Sequence, residues 1–450
     1  MEELVGSSGF RGIALKDISP SFCLAMGITI SSLNVGKYAV GHDVRLSSPL
    51  LAFSLALGLN AGGSDVEYVG LAPTPAIAFY SRGNSGGGMI TASHNPPEYN
   101  GVKLFDPRGA SISHSQYLKI AALLPRAKPA RYDSLGSIRQ GGGLEKYVEA
   151  VVAASRSKKR WKVGLDPGNG STVLTATMIY KKIGLVAKGI NIAPDGTFPG
   201  RGSEPSEEAL GGLSELVKAR GLDIGFGFDG DGDRLAIVDE QGRYIDQDAA
   251  LAFFLARRIK GKKGTVVVNV DTSSAVDAAV EAAGGRVVRS RVGDPDILEA
   301  MIRHHAIAGG EAAGAWICPE ISLCPDGVLS SIMFLALLEE GGMKPSEVMG
   351  RLPPLALKRK KVHCKNNMKK ALMDNLEAVV RKRYCEEEIV VVDGIRVGFA
   401  NKSWVLIRPS GTEPAIRITA ESPSRLQTLK IMDEFVKLIE ATKEGKIRKQ

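Results

Sequence analysis

Three aspartates stand two residues apart in Ile224-Gly225-Phe226-Gly227-Phe228-Asp229-Gly230-Asp231-Gly232-Asp233-Arg234, with a glycine between each pair. Carboxylate oxygens are ligands for hard divalent cations. The glycines let the backbone curl so that Asp229, Asp231 and Asp233 face one centre. Three negative charges that close repel one another unless a cation lies among them. Rival readings of nearby residues fail on context. A calcium-binding EF-hand loop counted from Asp229 needs glycine at its sixth position and flanking helices, but Arg234 is there and Leu235-Ala236-Ile237-Val238 reads as a strand. Gly225-x-Gly227-x-x-Gly230 spells a dinucleotide-binding fingerprint, which needs a helix where that strand lies. Gly83-Asn84-Ser85-Gly86-Gly87 spells a nucleophile elbow with its elements in reverse order.

Three further segments carry reactive or recognising groups. Thr91-Ala92-Ser93-His94-Asn95-Pro96-Pro97 follows a short strand and ends on two prolines, so Ser93 sits on a constrained loop with its hydroxyl displayed. Taken alone, that segment favours a structural turn over a nucleophile, because most serine-rich turns are only turns. Arg408-Pro409-Ser410-Gly411-Thr412-Glu413-Pro414 holds one arginine, two hydroxyls and a glycine. A phosphate is gripped by such a set of guanidinium, short donors and free backbone N–H groups; a plain hairpin turn has the same composition. Gly309-Gly310-Glu311-Ala312-Ala313-Gly314-Ala315 places one acid in a run of small residues, where a ligand can come close and Glu311 can accept its hydroxyls. Arg11 in a glycine-flanked turn, and Lys103 on the strand after the serine loop, are cations that ordinary surface would also explain.

The elements that must position these residues alternate. Strands are predicted over 37–43, 65–69 and 87–91, with helices over 49–60 and 75–81. After Gly141-Gly142-Gly143 the cycle restarts: helix 144–154, strand 163–166, helix 173–183, strand 189–192, helix 207–220 and strand 223–228. A third cycle runs from Asp246 through helix 249–259, strand 265–270, helix 275–283, strand 286–290 and helix 296–304. Beyond Pro353-Pro354 come a basic run, a helix over 369–383, several strands between 388 and 420, and a last helix over 424–441. That order predicts three α/β units and one α+β unit, with boundaries 1–141, 142–243, 244–355 and 356–450. Length alone predicts one domain fewer.

Of the 450 residues, 44% are hydrophobic and 24% charged, the balance of a globular protein. The net charge of +9 suits nucleic acid, a membrane surface or small anions. The basic runs, 156–162, 358–365 and 443–449, lie at seams and ends rather than on a face interleaved with aromatics, which reads as solvated surface and argues against nucleic acid. Five cysteines without CxxC spacing argue against a disulfide framework or a structural zinc site. No apolar run reaches membrane-spanning length and the start lacks a signal-peptide pattern, so the expectation is a cytoplasmic protein that binds neither membrane nor nucleic acid.

Together the motifs resemble the α-D-phosphohexomutase family over nearly the whole chain. The Ser93 segment resembles its phosphoserine loop, Asp229 to Arg234 its metal loop, Gly310-Glu311 the start of its sugar-recognition loop and Arg408 to Pro414 its phosphate-binding loop. The resemblance implies three similar α/β domains with mixed sheets sandwiched by helices, and a smaller C-terminal α+β domain, around a central cleft. It implies that Ser93 carries a phosphoryl group, with Lys103, Arg11 and His94 as further catalytic residues. One Mg²⁺ would be held by Asp229, Asp231, Asp233 and a phosphoserine oxygen. A phosphosugar substrate would be held by Arg234, Arg291, Gly310, Glu311, Arg408, Ser410, Gly411 and Thr412. The implied reaction moves phosphate between positions 6 and 1 of a hexose through a hexose 1,6-bisphosphate. The family's sugar loop is commonly Gly-Glu-x-Ser-Gly-His; here Ala313 and Ala315 replace the serine and histidine. With Trp316 and Cys324-Pro325-Asp326-Gly327, the loop is most similar to the archaeal phosphoglucosamine mutase branch, which implies glucosamine phosphate as substrate, ahead of the mannose and glucose phosphates. A phosphatase using an aspartate of the metal loop, and a basic nucleic-acid-binding protein, are the competing readings.

Overall fold

The computed structural model describes residues 2–351, 355–410 and 414–445. Four sheets take their strands from successive stretches of chain. The first has seven strands in the order β1-β2-β6-β5-β3-β4-β7: β1 (Val5–Gly6), β2 (Gly9–Ile13), β3 (Lys37–His42), β4 (Asp65–Leu71), β5 (Gly86–Ile90), β6 (Tyr99–Phe105) and β7 (Ile138–Gln140). β5 runs parallel to β3 and antiparallel to β6, with Met89 opposite Lys103. β6 also pairs with β2, where Arg11 faces Gly101. These registers set Arg11 and Lys103 on adjacent strands, beside the loop that leaves β5 with Ser93.

The second sheet orders β12-β11-β10-β8-β9: β8 (Lys162–Asp166), β9 (Val186–Gly189), β10 (Ile224–Phe228), β11 (Leu235–Val238) and β12 (Tyr244–Ile245). Its centre shows how sequence dictates packing. β10 alternates glycine and phenylalanine, so one face has no side chains and the other has large ones. A Cβ on Gly225 or Gly227 would lie 2.9 Å from Val217 or 2.6 Å from Leu210, so the bare face admits the helix Gly211–Arg220 at close range. Phe226 and Phe228 are fully buried on the other face. Burial of each stabilises the fold by about 2–3 kcal/mol. β10 then delivers Asp229 directly into the loop that follows.

The third sheet orders β14-β13-β15-β16: β13 (Thr265–Asn269), β14 (Arg286–Ser290), β15 (Ala308–Gly310) and β16 (Trp316–Ile317). The parallel strands β13, β14 and β15 end on one side, which brings Asn269, Val292 and Glu311 together. The last sheet is antiparallel throughout, in the order β17-β21-β20-β19-β18: β17 (Ala356–His363), β18 (Glu388–Val391), β19 (Ile395–Gly398), β20 (Trp404–Pro409) and β21 (Ala415–Ser422). The helices Asn366–Arg383 and Arg425–Lys443 share its core. Three α/β units and one α+β unit result, as the element pattern predicts.

Some elements differ from expectation. The strand expected over 189–192 lies at Val186–Gly189, an edge strand whose four residues are all exposed, so apolar Ile190 and Ile192 misplace it. The helix expected from Glu207 begins at Gly211, because Ser206 to Leu210 form a turn closed by Leu210 N–H on Ser206 C=O. The basic run near 358–365 is largely β17, an edge strand with Lys358, Lys360 and Lys361 exposed. Such lysines discourage a further strand from pairing there. No helix among the described residues is long and apolar enough to cross a membrane.

Candidate active site

Ser93 is buried and has a φ of 53°, in the left-handed region that side chains seldom occupy. Such strain persists where the surroundings over-determine the backbone. Here the determinant is Arg45, itself fully buried. Its guanidinium donates to the carbonyls of Ser93 (2.8 Å), Asn95 (2.6 Å), Pro96 (2.5 Å) and Tyr99 (3.1 Å). Asp43 balances that charge at 3.0 Å and also accepts from Thr91 Oγ1, which in turn accepts from Ser93 N–H. The serine loop is thus fixed from inside by an ion pair. The Ser93 hydroxyl donates to Asp229 Oδ2 at 2.7 Å and lies 3.2 Å from His94 Nδ1.

Asp229, Asp231 and Asp233 are buried, and their ligand atoms lie within 4.8 Å of one another. Burial, then Asp233 and Asp231, hold the Asp229 carboxyl well above the ordinary range. Burial and Asp231 raise Asp233 as well. Asp231 goes down: burial is outweighed by Lys103 together with the hydrogen bonds it accepts, including the Thr74 hydroxyl at 2.5 Å. Asp231 Oδ1 and Asp233 Oδ1 are buried with no hydrogen-bond partner among the described residues. Orphaned carboxylate oxygens around one centre fit a hard divalent cation.

Cations face this cluster. Lys103 Nζ reaches Asp231 and Asp233. Burial lowers the Arg11 pKa and Asp231 only partly offsets it, so Arg11 is a guanidinium short of negative charge. Arg234 binds both oxygens of Glu204 at 3.1 Å, and its pKa rises because Glu204 and Asp229 outweigh burial. Burial and then Arg234 and Arg11 push His94 well below the usual imidazole value, so it is neutral.

The segments that carry Glu311 and Arg408 line the same cleft as Ser93. Glu311 Oε1 accepts from Asn269 Nδ2 at 2.7 Å and from Gly293 N–H at 3.0 Å. Burial raises its pKa against those bonds. Gly314, with φ of 83°, packs directly on the Leu235 backbone and turns the loop back, so Ala315 lines the cleft. Gly310 closes β15 just before. Arg408 and Ser410 reach the same cleft from the last domain, joined by Arg417. Gly411 and Thr412 lie outside the described residues. Arg291 stands apart: its side chain is 62% exposed and points to Asp393, 4.0 Å away, while Val292 and Gly293 line the cleft. Asp294 also lines it, accepting from Ser8 and Ser111 of the first domain.

Arg45, Glu204, Asn269, Asp294 and Asp393 join the site without belonging to any of the motifs in the sequence. Arg45 leaves a trace, as half of an Asp-x-Arg pair at the end of an apolar strand. The others carry no local signal, since their partners lie far along the chain.

Family models for phosphoglucomutase/phosphomannomutase match in order: alpha/beta/alpha domain I over residues 2–131, domain II over 145–242, domain III over 246–355 and the C-terminal domain over 360–438. A protein of Pyrococcus abyssi named "Probable phosphoglucosamine mutase" is 34% identical over 445 residues, covering 98% of each chain. One of the same name from Methanosarcina acetivorans is 37% identical over 438 residues, covering 96% of this chain and 98% of its own. A crystal structure of a phosphoglucomutase/phosphomannomutase family protein from Burkholderia thailandensis superposes with a TM-score of 0.87 at 27% identity, covering 99% of this chain and 98% of its own.

Proposed function

The chain belongs to the phosphoglucomutase/phosphomannomutase family, and from that premise we propose that it interconverts glucosamine 6-phosphate and glucosamine 1-phosphate through a phosphorylated Ser93. The observation that carries the reading is the Ser93 hydroxyl 2.7 Å from Asp229, at the rim of three carboxylates that share one centre.

The phosphorylated Ser93 loses its phosphoryl group to a sugar hydroxyl. The Oγ–P bond breaks, a bond from the sugar oxygen to phosphorus forms, and the hydroxyl proton ends on Ser93 Oγ. Neutral His94, with Nδ1 3.2 Å from that oxygen, suits the hand-over. The hexose 1,6-bisphosphate turns over in the cleft and returns its other phosphate to Ser93. Phosphoryl transfer depends on positioning and on neutralising charge rather than on covalent help. Arg11 and Lys103 supply positive charge at the serine end. Mg²⁺, held by Asp229, Asp231 and Asp233, supplies further charge to the phosphoryl oxygens when bound. Arg408 and Ser410, with Gly411 and Thr412, hold the far phosphate.

The amino sugar is favoured by Glu311 and Asp294, carboxylates that line the cleft in addition to Asp233 of the aspartate cluster. An ammonium on the sugar would find counter-charge there, while Ala313 and Ala315 offer a hydroxyl nothing. The names of the Pyrococcus and Methanosarcina relatives point the same way. All five cysteines are free thiols, which supports a reducing cytoplasm as the compartment.

A coupled assay of glucosamine, glucose and mannose 6-phosphates, each primed with its bisphosphate, tests the reading. Glucosamine 6-phosphate is expected to give the highest kcat/KM. If it is the poorest of the three, the substrate assignment fails; phosphate release without isomerisation would mean a phosphatase.

A further inference from the structure

Asp393 lies in the hairpin turn between β18 and β19, with a left-handed φ of 54°. Gly394 follows with a φ of 134°, and a Cβ there would collide with the Ile407 carbonyl and lie 2.8 Å from Arg408 Cβ. The turn is therefore pressed onto the strand that carries Arg408. Its carboxylate makes three contacts beyond the turn. Arg408 Nη2 lies 3.1 Å from Oδ2. Val292 N–H, in the third domain, donates to the same oxygen at 3.2 Å. Arg291 Nη2 stands 4.0 Å from Oδ1. The next backbone N–H, that of Gly293, is the one that holds Glu311. A continuous chain of contacts thus runs from Arg408 through Asp393 and the Val292-Gly293 backbone to Glu311, and on to Asn269.

The electrostatics give the chain a direction. Arg408 is 9% exposed, and its Nε has no hydrogen-bond partner among the described residues. A guanidinium fixed through one nitrogen, with another buried donor unspent, is set up to receive an anion. Without Asp393, the same guanidinium would be free to turn away from the cleft at the cost of ordering it on every binding event.

We infer that Asp393 is a positioning residue that orients Arg408 toward the substrate phosphate and ties phosphate capture by the last domain to the seating of Glu311 on the sugar. The inference rests on the mutase reading above and assigns it a residue outside the four recognised loops. Asparagine keeps the size of Asp393 and tolerates a left-handed backbone, so Asp393→Asn removes the charge and little else.

The test is steady-state kinetics on the full chain with glucosamine 6-phosphate and its bisphosphate, with melting temperatures to check that each variant is folded. Asp393→Asn is expected to raise KM about tenfold while kcat falls less than about threefold, as for loss of one charge-assisted contact. In an Arg408→Ala background the same change is expected to have less than about a twofold effect, because the partner is gone. Its kcat/KM preference for glucosamine over glucose 6-phosphate is expected to fall as well, through Glu311. An unchanged KM, or a full tenfold loss that persists in Arg408→Ala, would overturn the inference. If Asp393→Asn does not fold, Asp393→Ser replaces it in the same cycle. Failure of the mutase reading would show in the unaltered chain as absence of isomerisation, whereas failure here shows only in the variants.

Discussion

Lys103 Nζ lies 2.8 Å from Asp231 Oδ2, inside the carboxylate cluster, and its pKa is raised because Asp231 and Asp233 together outweigh burial. Two elements far apart in sequence are held together by this contact, β6 of the first domain and the loop after β10 of the second. The ammonium partly neutralises three carboxylates that would otherwise face one another buried.

Removing it has two consequences. Lys103→Met is expected to cost about 3–5 kcal/mol of stability in the absence of divalent cation, the usual result of leaving buried charge unpaired. Added Mg²⁺ is expected to restore part of that loss, which urea unfolding with and without the ion would measure. Activity is expected to fall at least about a hundredfold even with Mg²⁺, since a charge near the transferred phosphoryl group is missing. A variant as stable as the parent in chelator would show that Lys103 does not compensate the cluster.

Ser93→Ala is expected to fold normally, because the left-handed backbone is imposed by Arg45 and not by the hydroxyl. Isomerisation is expected to drop by more than about a thousandfold, and label from a ³²P-labelled bisphosphate should no longer enter the protein. Wild-type turnover in this variant would remove Ser93 from the mechanism.

Arg45 shows in the sequence only as half of an Asp-x-Arg pair, and its role is open to a direct measurement. Arg45→Lys retains the charge opposite Asp43 but has no planar fork to span the carbonyls of Ser93, Asn95, Pro96 and Tyr99. The loop is expected to loosen, with kcat down about ten- to a hundredfold, as small misplacements of a reacting group do. Arg45→Ala also strands Asp43 and is expected to cost about 3–5 kcal/mol in urea unfolding. If kcat in the lysine variant were unchanged, the clamp would be structural only.

These cases divide what was legible in the sequence from what was not. Ser93, the three aspartates and Arg408 could be read because each sits in a short contiguous segment whose residue types already spell a chemistry. Arg45, Asn269 and Asp393 could not, because their meaning comes from partners brought near by the fold: 48 residues away for Arg45 and Ser93, 101 for Asp393 and Val292. The same limit applies to elements. The helix Pro20–Leu33 has no charged residue, and its Gly27 packs against the backbone of the helix Ser48–Ala61, so both faces look alike in sequence. The helix Gly327–Glu340 is buried nearly all round and shows no helical period either. Period betrays an element only where one face meets water.

Asp326 offers a prediction in pH. It caps the helix Gly327–Glu340 by accepting from Leu329 N–H at 2.9 Å, and it accepts from the Tyr147 hydroxyl at 2.9 Å. Burial raises its pKa from 3.8 to about 6, against the pull of those bonds. The folded protein therefore binds a proton more tightly than the unfolded chain. The stability from that proton is complete below the unfolded value and is lost as pH rises through about 6. A shift of that size corresponds to about 3 kcal/mol. Asp326→Asn cannot titrate but keeps an oxygen for Leu329. Its stability relative to the parent is expected to improve by up to about 3 kcal/mol between pH about 4 and about 7, and then to stay level. Urea midpoints of both proteins across that range would measure the difference. A difference that stays constant with pH would mean that Asp326 titrates as an ordinary carboxylate and that its burial costs the ionised form nothing.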